Sequence, residues 1–265
     1  MTLDWPEWNG WWNRLWFAPS AGRAEALFRI GYGSVLFADL LGLRQNAILY
    51  FSNRGVHPST ALDFLYPSTV VESLLVAWLV VVGLLVLGYR ARVCAVLNYL
   101  FLVYFFGLRG DAASHAPDLL YRSLGFYLMF MQSDRYFSLR ARGTAREPAG
   151  APGWPLRLAQ LNLASMYWTA GLSKLGDRGW MAGTALRDSL EAPYLTYGTF
   201  DWLLPHDALL VTLNYLTIAW ELLIPVLLLL PRTRPWAVMS AIVFHAATIV
   251  TWRVGWFGEL SLVAL

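Results

Sequence analysis

The stretch Thr69-Val-Val-Glu-Ser-Leu-Leu-Val-Ala-Trp-Leu-Val-Val-Val-Gly-Leu-Leu-Val-Leu-Gly88 decides the fold. Glu72 is its single ionisable residue, and about 20 mostly apolar residues are what a helix needs to cross the hydrocarbon of a bilayer. The turn that follows, Tyr89-Arg90-Ala91-Arg92, is tight and basic, so the next apolar run returns through the same layer.

Working outward, similar runs predict spans near 24–43, 91–108, 117–133, 156–175, 207–230 and 236–252. The run at 117–133 is short and carries Arg122. The tail, Val254 to Leu265, is apolar around Gly255 and Gly258 and reads as a re-entrant piece or the stub of an eighth helix. The expected fold class is all-α: a polytopic integral membrane bundle of seven or eight transmembrane helices. Composition agrees, with 57% hydrophobic and only 14% charged residues against about 25% charged in a soluble domain. Mean hydropathy is +0.47.

Residues 134–155 hold Arg135, Arg140, Arg142 and Arg146 with Pro148, Pro152 and Pro155, the pattern of a flexible basic linker. Pro231-Arg-Thr-Arg-Pro235 is another clipped turn, whereas the longer connections 44–68 and 176–206 are aromatic-rich. With seven spans, the side of the N-terminus carries eleven arginines and the opposite side five. The positive-inside rule then predicts a cytoplasmic N-terminus in a multi-pass protein of the cell (inner) membrane. Residues 1–22 crowd Trp5, Trp8, Trp11, Trp12 and Trp16 among Asp4, Glu7 and Arg14. They read as an amphipathic segment lying at the headgroups, where indole rings favour the depth, with the transmembrane domain proper at 23–265.

Several function classes are excluded. Cys94 is the only cysteine, so there is no disulfide framework. The basic residues sit in short loops beside the spans, so no nucleic-acid partner is expected. His57, His115 and His206 lie in loops or at helix ends and His245 stands alone in its span, so no metal is expected. No Gly-x-Ser-x-Gly elbow or phosphate-cradling glycine loop occurs.

Ionisable groups inside hydrocarbon cost about 2.5–3.5 kcal/mol each on insertion scales, which makes them candidates for function. Glu221 lies mid-span, with Asn214 and Thr217 seven and four residues before it on the same helix face. That stripe is either interhelical hydrogen-bond glue or the wall of a polar cavity, and Pro225, four residues on, favours a kink there. His245 shares a face with Thr248 and Trp252. Lys174 is the one lysine among 20 basic residues. Arginine keeps its proton in a protein, whereas lysine can release one. A chain so biased to arginine would be expected to fill a purely structural site with arginine. Tyr167 and Gly171 lie on the face of Lys174, and Gly171 lets a backbone or ligand come close.

Ala170-Gly-Leu-Ser-Lys-Leu-Gly-Asp-Arg-Gly-Trp180 resembles the motif around the catalytic lysine of the vitamin K-dependent γ-glutamyl carboxylases, and more broadly the HTTM (horizontally transferred transmembrane) domain family. Leu27-Phe-Arg-Ile30 with Asp39 resembles the family's first span, Leu87-Gly-Tyr-Arg90 its second-to-third turn, and Phe130-Met-Gln-Ser-Asp-Arg-Tyr-Phe-Ser138 the segment after its fourth span. Phe244-His245 and Gly255-Trp-Phe257 resemble its last paired helices. The resemblance implies that Lys174 is a general base acting on a quinol of the vitamin K or menaquinone type. In the carboxylases the deprotonated quinol reacts with oxygen, and the strong base so formed removes a γ-proton from a peptide glutamate before carbon dioxide adds. His245, Trp252, Tyr167 and Gly171 are then the expected quinol contacts, and Glu221, Asn214 and His115 the expected substrate contacts.

Two departures shape the expectation. The large extra-membrane C-terminal part of the carboxylases has no counterpart in these 265 residues. Pro117 stands where a family histidine would fall, with His115 two residues away. The length is closer to the SdpB-like members, which mature secreted peptide toxins with partner proteins. Three functions are therefore carried forward. The first is a quinol- and oxygen-dependent membrane enzyme that modifies or matures a peptide. The second is a non-catalytic membrane subunit that helps a peptide mature or leave the cell. The third is a small transporter with Glu221 and His245 along its path.

Overall fold

The computed structural model describes residues 10, 12–13, 16–20, 22–56, 63–108, 116–139, 141 and 151–265. Eleven α-helices account for most of them: α1 (Gly22–Leu43), α2 (Ala47–Phe51), α3 (Ser68–Leu87), α4 (Ala91–Leu102), α5 (Ala116–Leu128), α6 (Trp154–Leu175), α7 (Arg178–Ala182), α8 (Ala185–Glu191), α9 (Asp207–Leu229), α10 (Arg234–Thr251) and α11 (Phe257–Ala264). Two residues each of β1 (Pro19–Ser20) and β2 (Ala151–Pro152) pair antiparallel. Each run predicted as a span is largely helical. Among the described residues, α1, α3 and α9 are long and apolar enough to cross a bilayer. The tail is the short helix α11, which packs on α10. Residues 1–9, 11, 14–15 and 21, and with them Trp5, Trp8 and Trp11 of the predicted interfacial segment, lie outside the described residues, whereas the Trp12 and Trp16 rings lie 5.6 Å apart between centroids.

The chain divides into two compact units, Met1–Ala159 and Gln160–Leu265, with α6 running through the boundary. In the first unit α1 packs on α3, α3 on α4 and α4 on α5. A chain of hydrogen bonds crosses all four helices. Trp78 Nε1 donates to Asn98 Oδ1 at 2.8 Å, Asn98 Nδ2 to the Tyr32 hydroxyl at 3.2 Å, and that hydroxyl to the Tyr121 carbonyl at 3.0 Å. Trp78, Tyr32 and Asn98 are fully buried, where an unmade hydrogen bond would be costly, so the rung sets the rotation of each helix. Around it, Trp78 stacks on Phe105 at 5.2 Å between centroids. Phe105 belongs to the π-helical turn Val103–Gly107 that ends α4.

The predicted span 117–133 is helical only to Leu128. The reason lies on α1. Arg29, fully buried, donates to the Ser133 carbonyl and, at 2.6 Å, to the Phe137 carbonyl. Glu25, one turn earlier, accepts from the Gln132 backbone N–H at 2.9 Å. These two side chains take up backbone groups that a continuing helix would have paired internally. Gly88 caps α3 at φ 71°, and a Cβ there would sit 2.3 Å from Ser138 Cβ. Three of the short motifs quoted above, around Arg29, Gly88 and Ser133–Ser138, therefore meet at one place.

In the second unit α9 and α10 pack together, as do α8 with α9 and α7 with α8. Leu186, Leu190 and Leu210 form a small buried cluster, covered by Phe200, Leu203, Leu204 and Trp252. The connection 192–197 is laced to the end of α10. Tyr197 N–H donates to the Thr251 carbonyl at 3.1 Å and Arg253 N–H to the Leu195 carbonyl at 2.7 Å. Arg253 Nε donates to the Thr196 carbonyl at 2.8 Å, and its guanidinium lies 5.3 Å from the Tyr197 ring centre.

Candidate functional site

Lys174, Glu221 and His245 gather on the facing sides of α6, α9 and α10. Lys174 sits in the last turn of α6 and donates to both carboxylate oxygens of Glu221 on α9, at 2.8 and 2.7 Å. Gly171, one turn before the lysine, makes this possible. A Cβ there would meet two Leu222 side-chain carbons at 2.9 Å and Glu221 Cβ at 3.3 Å. What comes close to Gly171 is thus the neighbouring helix. Lys174 keeps 17% of its side-chain surface and Glu221 8%, so the amine is the partner nearer the outside. Among the described residues neither has a second ion-pair partner.

Trp180 covers the pair, with Lys174 Nζ 4.9 Å from its ring centre, within cation–π range. Its backbone is held on both sides. Asp177 caps α7 by accepting from the Trp180 N–H at 3.0 Å, and Asn214 Nδ2 donates to the Trp180 carbonyl at 2.8 Å. Asn214 Oδ1 also accepts from the Leu186 N–H at 3.3 Å, and its side chain is fully buried. One face of α9 therefore does two tasks: Glu221 binds the lysine and Asn214 fastens the covering loop. Thr217, expected on the same stripe, bonds instead to the Leu213 carbonyl of its own helix at 2.9 Å.

Behind the pair lies a second polar contact. The Tyr167 hydroxyl, two turns before Lys174 on α6, is hydrogen-bonded to Nε2 of the fully buried His245 on α10. His245 Nδ1 is buried and has no partner among the described residues. The rings around it are Tyr167, Phe244 and Phe257. Trp220 closes the layer, stacked on Phe244 at 4.1 Å and edge-on to Tyr167 at 5.4 Å, with its Nε1 donating to Ser240 at 3.1 Å.

Of the residues singled out in the sequence, Lys174, Gly171 and Glu221 come together at one spot, and Tyr167 pairs with His245. Asn214 reaches the site through Trp180. Trp252 belongs elsewhere: it covers the Leu186–Leu190–Leu210 cluster, and its Nε1 donates to Ser189 at 3.3 Å. Thr248, predicted beside it, bonds to the Phe244 carbonyl. His115 lies outside the described residues. Trp220 and Ser240 were not legible in the sequence, because neither is an anomalous residue for an apolar helix. Trp180 carried one signal, its position six residues after the lysine.

The arrangement can hold a proton at a nitrogen that is partly open, beside apolar surface, with a carboxylate behind it. Trp168, Leu172, Leu175 and Met181 all expose 45% or more of their surface. The sequence model of the HTTM domain matches residues 17–265, nearly the whole chain. No solved structure matches it.

Proposed function

We propose that this chain, which belongs to the HTTM domain family, is a membrane enzyme related to the vitamin K-dependent carboxylases, in which Lys174 is the general base toward a lipid-soluble quinol. The observation that carries the reading is the pairing of the chain's single lysine with a mid-helix carboxylate, at the end of an apolar helix and under an indole. A general base of this kind contributes about 10²–10⁴-fold to rate.

The residues present fit such a molecule. The surface of α6 next to Lys174 is apolar and suits a prenylated ring arriving from the bilayer. The Lys174 nitrogen and the Trp180 face offer it one polar and one flat contact. A bound quinol would supply reducing electrons for reaction with oxygen. The protein's own part is to take the hydroxyl proton at Nζ, orient the ring and keep water away. Tyr167 and His245 form the back of the site, with Glu221 and Asn214 between them and the covering loop. A peptide is the molecule finally modified, with partner proteins completing its site.

The protein is multi-pass, spans the inner membrane seven or eight times, and has its N-terminus in the cytoplasm. The eleven-to-five arginine bias supports this orientation. One observation favours a second reading, a non-catalytic subunit that helps a peptide mature: Lys174 is already matched by Glu221, as a structural bridge would be.

Oxygen uptake by the purified protein with a menaquinol-type quinol separates the two. Catalysis predicts uptake that falls about 100-fold or more in Lys174→Ala. Unchanged uptake in that variant, or none in the native protein, removes the enzyme reading.

A further inference from the structure

Resting on the reading of Lys174 as a base, we infer that Lys174 and Glu221 act as one proton-holding unit, with Glu221 taking the ammonium proton so that the amine can accept another. The geometry supplies the route. Both carboxylate oxygens lie at hydrogen-bond distance from Nζ, at 2.8 and 2.7 Å, and neither group has another ion-pair partner among the described residues. Glu221 is the deeper of the two, so a bound molecule meets the nitrogen first and the carboxyl acts through it.

Charge balance distinguishes this from a lysine working alone. At rest the pair is ammonium and carboxylate, net zero. Transfer of one proton along the hydrogen bond gives amine and carboxylic acid, again net zero. The amine lone pair then takes the proton of a bound hydroxyl: an O–H bond breaks, an N–H bond forms, and the oxygen keeps the electron pair. The result is ammonium, carboxylic acid and one oxyanion, still net zero. If Glu221 stayed ionised through that last step, the site would hold two negative charges against one positive. Uncompensated charge is disfavoured most where water is scarce. Glu221 is thus a positioning and proton-accepting residue rather than a catalytic one, since it reaches the reacting hydroxyl only through Lys174.

The inference can be tested without turnover, using 1-naphthol as an aromatic alcohol whose anion absorbs differently from the neutral form. Full-length protein in lipid nanodiscs is titrated with 1-naphthol while its absorption and the infrared carbonyl region are recorded. The expected result is naphtholate formed together with a new protonated-carboxyl band. Both are retained in Glu221→Asp, the band is absent in Glu221→Gln, and naphtholate there falls at least tenfold. Circular dichroism establishes that each variant keeps its helices, and the Asp variant guards against loss of fold in Gln. Naphtholate formed equally by native protein and Glu221→Gln, or formed without a carboxyl band, overturns the inference and leaves the Lys174 reading standing. Naphtholate persisting in Lys174→Met, or absent from the native protein, overturns both.

Discussion

Lys174 donates to both oxygens of the Glu221 carboxylate across 47 residues of sequence. Each side chain is mostly shielded from water, so each is the other's charge compensation. The pair therefore behaves as a unit in stability as well as in any chemistry it performs.

Glu221→Leu strands an ammonium in an apolar setting, and removing one partner of a buried pair costs about 3–5 kcal/mol. Because Lys174 keeps 17% exposure, the lower end of that range is expected. Lys174→Met combined with Glu221→Leu recovers most of the loss, since no charge is left behind. Thermal unfolding in detergent of the two single variants and the double would show this. Simple additivity of the single losses would mean the two groups are not coupled.

At Gly171 the side chains of Leu222 and Glu221 on α9 come against the backbone of α6. Gly171→Ala forces the flexible Leu222 side chain aside and is expected to cost about 1 kcal/mol. Gly171→Val also crowds Glu221 Cβ and is expected to cost about 3 kcal/mol, within the range for overpacked sites. Unfolding measurements check the order. A valine variant as stable as the native protein would contradict the close approach.

Asn214 fastens the loop that carries Trp180. In Asn214→Leu the Trp180 carbonyl and the Leu186 N–H lose their partner, at about 1–3 kcal/mol for each group left unsatisfied. Hydrogen–deuterium exchange read by mass spectrometry should then rise over residues 178–191 and stay unchanged over α10. Unaltered exchange across that loop would show that the asparagine does not hold it.

Arg29 binds two carbonyls of the segment after α5 through different guanidinium nitrogens. Arg29→Met is expected to cost about 3 kcal/mol and to speed exchange at Gln132 and Leu139. Arg29→Lys does not rescue it, because a single ammonium lacks the planar fork. Full rescue by lysine would mean that charge alone matters.

Sidedness can be read from α9, whose 23 residues span about 34 Å at 1.5 Å each. In a Cys94→Ala background, Tyr194→Cys and Arg232→Cys flank it and both positions are exposed. A membrane-impermeant thiol reagent applied to intact cells should label the first and spare the second. The reverse pattern would invert the orientation, and labelling of both would argue against α9 crossing the bilayer.

Much of the fold was legible because helix formation in an apolar solvent is a local matter. The run 69–88 became α3 over Ser68–Leu87, and 207–230 became α9. The exception is instructive. Nothing in Met129–Ser138 announces a helix end at Leu128; the interruption comes from Arg29 and Glu25, about a hundred residues earlier in the chain. The same holds for Gly171. Its lack of a side chain marked a close approach, but only packing identified the visitor as Leu222 and Glu221. For Thr217 and Thr248, helical periodicity suggested inward faces, whereas each hydroxyl is satisfied by its own helix.

The sequence by itself determined that apolar runs of bilayer length recur along the chain, and that one lysine stands apart from nineteen arginines. Those are statements about solvent and residue type, which need no knowledge of neighbours. Only the tertiary structure decided that Lys174 faces Glu221 beneath Trp180, and that Tyr167 and His245 meet across 78 residues. Periodicity tells which side of a helix is polar. It carries no information on which other helix that side will meet, because that choice is made by close packing and by the need of every buried polar group for a partner.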